Sequence, residues 1–179
     1  MLDRLQLLNK ITGLVFCICM LNFSVNSQNN PFSIIDSDSI VVYEYDGLSG
    51  LKIEDALESQ PNKIINSAKV ELNVIKGFER AITDSNAYGN TTAACFDPHL
   101  GIVYWKKDSI MASISICLDC NYLESSKDIL SEGNNQIVIS EDYSYPAKGF
   151  SKETRKFIND FCLQLGFTKY LEPLESIFD

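Results

Sequence analysis

Apolar and polar positions along the chain follow two periods, and one of them predicts strands. The segment 40–46 (IVVYEYD) is rich in β-branched and aromatic residues and stops at Gly47, which is typical of a strand. Segments 101–107 (GIVYWKK) and 110–117 (IMASISIC) have the same character and are joined at Asp108-Ser109. This arrangement predicts an antiparallel hairpin.

A two-residue turn fixes the register of this hairpin, because it pairs Lys107 with Ile110. Cys117 is then expected opposite Leu100, next to His99. Side chains alternate along a strand, so one face is predicted to form the core, with Val103, Trp105, Ile110, Ala112, Ile114 and Ile116. The other face is predicted to carry Tyr104, Met111, Ser113, Ser115 and Cys117.

The second period is helical and predicts two main helices, over residues 74–82 and 152–165. Ser151 is a good N-cap for the later helix, and Gly166 stands where a left-handed C-terminal cap is wanted. Shorter elements are predicted as a helix over 53–59 and as strands over 68–72 and 137–140. Helices and strands do not alternate regularly, which favours the α+β class, with an antiparallel sheet built around the hairpin.

The N-terminal residues are typical of a signal peptide. Arg4 and Lys10 precede a short apolar run over 11–23, and Ser27 stands at a small-residue cleavage position. We therefore predict a signal peptide over 1–27, a flexible leader over 28–39 and a single α+β domain over 40–179. A periplasmic or secreted protein is expected, with no stable membrane insertion after cleavage.

The negative net charge of the chain excludes some classes of binding partner. The chain has a formal net charge of −9 at pH 7, and removal of Asp3, Arg4 and Lys10 with the signal peptide (net +1) leaves −9 − 1 = −10. Such a chain, without a cluster of Lys and Arg, is a poor partner for nucleic acid or an anionic membrane. The expected partner is a protein or a small molecule, and an aromatic interface through Tyr43, Tyr45, Tyr143 and Tyr145 is one hypothesis.

Four cysteines remain after cleavage, and three of them lie with the single histidine between residues 95 and 120. An even number outside the cytosol predicts two disulfides, with three possible connectivities. Cys162 lies on the apolar face of the last predicted helix. It is therefore either a buried, inert thiol or the disulfide partner of a cysteine at the hairpin end.

A structural zinc site is the second interpretation of the same residues. Cys95, His99, Cys117 and Cys120 form C-x3-H followed by C-x2-C, and three thiolates with one imidazole can complete a zinc tetrahedron. A disulfide between Cys162 and any of the three cysteines would exclude a site with four ligands.

A redox dithiol is the third interpretation. Cys117 and Cys120 form a CxxC pair, but Asp119 lies between them and its charge opposes a reactive thiolate. His99 has no second histidine or HExxH motif to support a hydrolase. The sequence therefore favours a non-enzymatic binding or accessory module with no cofactor or a structural zinc, and a thiol redox protein is the alternative.

The segments CFDPHLGIVYW and ISICLDCN resemble a pattern, C-[FY]-x-P-[RH]-H-[AG]-I and later I-C-F-x-C, of uncharacterised secreted or lipid-anchored bacterial proteins. In the pattern an arginine separates proline and histidine, whereas His99 follows Pro98 directly. The resemblance implies a bacterial extracytoplasmic protein and no particular activity. The matching residues are Cys95, Phe96, Pro98, His99, Gly101, Ile102, Ile116, Cys117 and Cys120.

Overall fold

The fold is that of a computed structural model, which describes residues 30–133, 137–139 and 144–171. The predicted signal peptide lies outside these residues. The strands are β1 (Ser39–Tyr45), β2 (Ile64–Val70), β3 (Tyr88–Asn90), β4 (Leu100–Lys106), β5 (Ser109–Cys117), β6 (Tyr122–Ser125), β7 (Ile137–Ile139), β8 (Ser144–Pro146) and β9 (Gly149–Phe150). The helices are α1 (Ile53–Ser59), α2 (Leu72–Thr83), α3 (Leu130–Gly133) and α4 (Lys152–Gln164).

A five-stranded antiparallel sheet organises the molecule, in the order β2-β1-β4-β5-β6. The pairs β3-β9 and β7-β8 form two small separate sheets. This architecture confirms the predicted α+β class and the hairpin at its centre. Among the described residues, no helix has the length and apolar character needed to span a membrane.

The hairpin register differs from the prediction by two residues next to the turn, where Trp105 pairs with Ile110, and by one residue over Leu100–Tyr104. Gly101 pairs with Ser115 and Tyr104 with Ala112, and a bulge follows between Tyr104 and Trp105. Lys107, at φ 53°, and Asp108 form the turn that was predicted at 108–109. The pattern could not fix the register, since the first five residues of β4 are all buried and both faces of the strand are therefore covered.

The main core lies between one face of the sheet and helices α2 and α4. Tyr104 belongs to this core, whereas Val103 and Trp105 face the other side, so the predicted face was wrong for all three. Ala112, Ile114 and Ile116 do contribute to the main core as predicted, together with Ile75, Phe78, Ile82, Ile158 and Phe161 of the helices.

The opposite face of the sheet is covered by the short helix α1. Ile53 and Ala56 are fully buried there against Tyr45 and Val103. The helix lies so close to the sheet that a Cβ added to Gly101 would be 2.7 Å from the Cβ of Ile53. Glycine at position 101 therefore permits α1 to dock.

The described part of the segment predicted as a flexible leader packs against the domain. Phe32 is buried and stacks on Tyr104, with ring centroids 5.5 Å apart. Asn30 donates a hydrogen bond of 2.8 Å to the buried carboxylate of Glu79, and the Tyr104 hydroxyl donates a second one of 2.9 Å. One apolar anchor and one amide thus hold a segment whose composition alone is typical of a loop.

Helix ends follow the sequence signals in part. Ser151 caps α4 by accepting a hydrogen bond from the Thr154 amide, and Gly166 has the left-handed φ of 76° expected after the helix. Helix α2 begins earlier than predicted, after the N-cap Glu71. The preceding strand therefore runs over 64–70 instead of 68–72.

Candidate functional site

The tight turn between β5 and β6 positions two of the predicted cysteines. Cys117 ends β5, and the chain reverses through Asn121, whose φ is 64°. The Asn121 side-chain amide donates hydrogen bonds of 2.7 Å to the Thr91 carbonyl and 3.1 Å to the Phe150 carbonyl. These bonds connect the turn to its neighbours, and Cys120 is held beside Cys117.

Cys95 lies in the loop between β3 and β4, which packs against the β5–β6 turn. The Tyr122 hydroxyl donates a 2.5 Å hydrogen bond to the Cys95 carbonyl, and the Tyr122 ring stacks on Phe96 with centroids 5.0 Å apart. The Asp97 amide donates to the sulfur of Cys120 at 3.4 Å. Loop and turn are therefore connected by hydrogen bonds and by ring stacking.

Three sulfur atoms meet where the loop and the turn join. Cys117 and Cys120 form a disulfide, and the sulfur of Cys95 lies 2.9 Å from that of Cys120. All three lie within 4.8 Å of one another. Cys117 and Cys120 are fully buried, whereas Cys95 is half-buried. Cys95 and Cys162 are free thiols, so the structure contains one of the two expected disulfides among the described residues.

The electrostatic surroundings of Cys95 disfavour a thiolate. Burial raises the pKa of its thiol, and the carboxylates of Asp97 and Asp119 raise it further. A reactive cysteine needs the opposite setting, with positive charge nearby or a helix N-terminus.

His99 lies close to the cluster in sequence but its ring has other contacts. Its Nδ1 is 3.2 Å from the Tyr45 carbonyl, and its Nε2 is 3.8 Å from Asp119. The ring also stacks on Tyr170, with centroids 3.6 Å apart. The group of neighbouring ligand atoms that could hold a metal ion consists of the three cysteines, without this histidine.

The oxidation state of the three cysteines determines whether their sulfur atoms could bind a metal ion. Two of the three sulfurs are joined in the disulfide, which leaves Cys95 as the one thiol of the cluster. Zinc binds thiolates, so the cluster in its oxidised form does not fit a structural zinc ion. Only reduction would supply three thiolate ligands.

Cys162 lies apart from the three other cysteines. It is 6 % exposed and packs in the main core between the sheet and α4. Burial, with a smaller contribution from Glu44, raises the pKa of its thiol to about 12. It lines a cavity of about 20 Å³ together with His99 and Tyr170. Of the two predicted roles for Cys162, the structure shows the buried thiol.

A groove that the sequence did not indicate opens beside the cluster. Two cavities of about 410 and 460 Å³ share Tyr122, Glu124, Ser144 and Tyr145 among their lining residues. Cys95 lines the smaller of the two. We call these two adjoining cavities the edge groove, because they flank β6, the last strand of the sheet.

The described members of the predicted aromatic interface lie in different surroundings, and the interface itself stays a prediction. Tyr145 lines the edge groove, whereas Tyr45 is fully buried under α1 and Tyr43 is half-buried beside it. Tyr143 lies outside the described residues. Tyr122, which the sequence reasoning missed, could have been found from its place next to the CxxC pair.

Comparison of the chain with protein-family models, with curated proteins and with solved structures gives no match in any of the three. The resemblance to secreted bacterial proteins therefore stays a prediction.

Proposed function

We propose that this protein is a non-enzymatic extracytoplasmic binding module whose ligand site is the edge groove and whose Cys117–Cys120 disulfide is structural. The observation that carries the proposal is the sharing of four lining residues by two adjoining cavities beside an edge strand. Together they offer a site of the size that small ligands or peptide side chains occupy.

The chemistry of the groove favours a cationic ligand. Tyr145 supplies an accessible aromatic ring that lines both cavities, Asp97 lines the smaller cavity and Asp128 lines the larger one. Aromatic faces and carboxylates both attract cations. Lys127 is the basic residue among the described residues that line the larger cavity. The net charge, −9 for the whole chain and −9 − 1 = −10 for the predicted mature chain, adds a long-range attraction for a positive ligand.

The disulfide has the surroundings of a structural bond. Both of its cysteines are fully buried, and the Cys120 amide donates a hydrogen bond of 3.1 Å to the sulfur of Cys117. Tyr122 packs on the bond and lines the groove. The bond therefore supports the turn that carries one wall of the proposed ligand site.

An extracytoplasmic location is consistent with the disulfide and with the signal-like N-terminus, because disulfides persist mainly in oxidising compartments. N-terminal sequencing of the exported protein would test it. We expect the mature chain to begin at Gln28, and an intact N-terminus on the protein recovered from cells would contradict this part of the proposal.

The ligand site is tested by an NMR titration with small probes of opposite charge. N-acetyl-lysine methylamide is the cationic probe, and N-acetyl-glutamate methylamide is its charge-reversed control. We expect the lysine probe to shift the amide signals of Tyr122, Glu124 and Tyr145, and the glutamate probe to leave them in place.

Two variants make this titration specific. Tyr145→Ala should weaken binding of the lysine probe, whereas Phe157→Ala should not, because Phe157 lines a separate cavity between α2 and α4. Equal effects of both probes, or shifts confined to the α2–α4 cavity, would reject the edge groove as the ligand site.

A thiol redox protein is the second candidate, and the free Cys95 thiol beside the disulfide is the observation in its favour. Complete burial of the CxxC pair and the acidic neighbours count against it. Reduction of insulin by the protein and dithiothreitol would decide. A rate above that of a Cys117→Ser variant supports the redox function and contradicts the structural one.

Structural zinc is a proposal for the reduced protein alone. Native mass spectrometry of the protein with a phosphine reductant and zinc would detect it. One zinc ion bound to the reduced wild type and lost in Cys95→Ser would support a site of three cysteines, and no zinc adduct would remove it.

A further inference from the structure

The disulfide has a free thiol in contact with one of its two sulfurs. The Cys95 sulfur lies 2.9 Å from that of Cys120, and no other thiol of the described residues belongs to the cluster. Thiol–disulfide exchange requires a thiol to reach one sulfur of an existing bond. This juxtaposition is in place in the folded protein.

We propose that Cys120 exchanges its disulfide partner between Cys117 and Cys95 within the folded domain. The Cys95 thiol loses its proton to solvent, and its sulfur attacks the sulfur of Cys120. Because burial and the carboxylates of Asp97 and Asp119 raise the pKa of this thiol, the thiolate is a minor form and the exchange is expected to be slow at neutral pH. The Cys95–Cys120 bond forms as the Cys117–Cys120 bond breaks, and the released Cys117 thiolate takes up a proton. One disulfide and one thiol are present before and after, so the step needs no external oxidant or reductant. Either isomer keeps one disulfide at the β5–β6 turn, so the structural role proposed above passes from one bond to the other.

Existing contacts hold the partners together during such an exchange. The Tyr122 hydroxyl fixes the Cys95 carbonyl, and the Asp97 amide donates to the Cys120 sulfur. The Ala93 amide also donates a 3.1 Å hydrogen bond to the Cys120 carbonyl. Backbone amides on both sides of Cys95 thus already donate hydrogen bonds to Cys120, and the exchanged bond would add a covalent link at the same place.

The exchange has a consequence for the edge groove. Cys95 and Phe96 form part of the wall of its smaller cavity. The Cys117–Cys120 bond leaves this wall attached by noncovalent contacts, whereas the Cys95–Cys120 bond ties it covalently to the β5–β6 turn. The two disulfide isomers therefore differ in how firmly one wall of the groove is held.

The test is a map of free thiols in the full-length mature protein. The oxidised protein is incubated at pH 8, quenched with acid, unfolded in guanidinium with N-ethylmaleimide, digested and analysed by mass spectrometry. A label on Cys95 marks the Cys117–Cys120 bond, and a label on Cys117 marks the exchanged bond. Cys162 is labelled in both forms and serves as the internal standard.

Two single variants calibrate the map, with circular dichroism to confirm that each is folded. Cys95→Ser keeps the Cys117–Cys120 bond and sets the background for the label on Cys117. Cys162→Ser removes the thiol in the main core and should leave the isomer ratio unchanged. We expect wild-type protein to carry a label on Cys117 above the background of Cys95→Ser. Labels confined to Cys95 and Cys162 in the wild type would overturn the proposal.

Discussion

The observed Cys117–Cys120 disulfide and the proposed Cys95–Cys120 disulfide should stabilise the domain by different amounts, because they close loops of different length. Cys95→Ser leaves the Cys117–Cys120 bond, and Cys117→Ser leaves Cys95 and Cys120 to form the other one. Both variants are made with Cys162→Ala, so that no third thiol can reshuffle the bond. Each variant thus contains one defined disulfide when oxidised and none when reduced.

The magnitude follows from the loss of chain entropy in the unfolded state. A cross-link over a sequence separation of 3, as in Cys117–Cys120, stabilises by about 1.6 kcal/mol at 25 °C. The separation of 25 between Cys95 and Cys120 gives about 3.5 kcal/mol. The longer loop should therefore contribute about 1.9 kcal/mol more.

Urea unfolding of each variant, with and without a phosphine reductant, measures this difference. The stability of the oxidised form minus that of the reduced form isolates the cross-link, since the substitution is common to both. A gain in Cys117→Ser equal to or smaller than that in Cys95→Ser would refute the reasoning. The reasoning would also be refuted if Cys95 and Cys120 both remained free thiols after oxidation of the Cys117→Ser variant.

Three further substitutions test the packing and the buried charges by urea or thermal unfolding. Gly101→Ala should destabilise by about 1–3 kcal/mol, because the added Cβ overlaps Ile53, and a normal stability would contradict the close docking of α1. Tyr104→Phe should cost about 1.5–3 kcal/mol by removing a hydrogen bond to the buried Glu79 carboxylate, and no loss would show that this carboxylate is satisfied otherwise. Burial raises the pKa of Glu132 from 4.5 to about 7, so the native state binds more protons than the unfolded state between these values and stability falls as pH rises. Glu132→Gln should therefore stabilise by about 2 kcal/mol at pH 8, after allowance for partial exposure, and change nothing at pH 4, whereas the same effect at both pH values would rule out titration as the cause.

Local signals were sufficient to predict much of the secondary structure, because each depends on one short segment. The caps Ser151 and Gly166 mark the ends of α4 directly, and the apolar period of α2 has one clear phase. The packing of Phe32 on Tyr104 could not be predicted in the same way. This contact joins residues that are far apart in the sequence, and Phe32 stands in a polar segment with no apolar period around it.

The candidate site shows the same limit. A turn at 107–108 instead of 108–109 shifts the pairing by two residues, and the bulge after Tyr104 reduces this shift to one residue over the rest of β4. A net slip of one residue exchanges the two faces of a strand. The clustering of Cys95 with the CxxC pair did not depend on this register, because the loop at Cys95 and the turn at Cys120 meet beyond the paired strands. The sequence pattern could not predict the orientation of the His99 ring, because this ring stacks on Tyr170, which is far away in the sequence.

Tyr122 connects the edge groove to the three sulfurs, so we expect the proposed ligand binding and the proposed disulfide exchange to depend on each other. Its hydroxyl holds the Cys95 carbonyl, its ring stacks on Phe96, and it lines both cavities of the groove. A ligand that prefers one arrangement of this wall must favour the disulfide isomer that holds it, and each isomer must bind the ligand with a correspondingly different affinity.

We therefore expect the lysine probe to change the ratio of labels on Cys95 and Cys117, and to bind Cys95→Ser and Cys117→Ser with different affinities. A ratio that stays constant while the groove is saturated, together with equal affinities, would show that the wall is the same in both isomers. The two proposals would then stand independently, because neither the ligand titration nor the thiol map relies on the coupling.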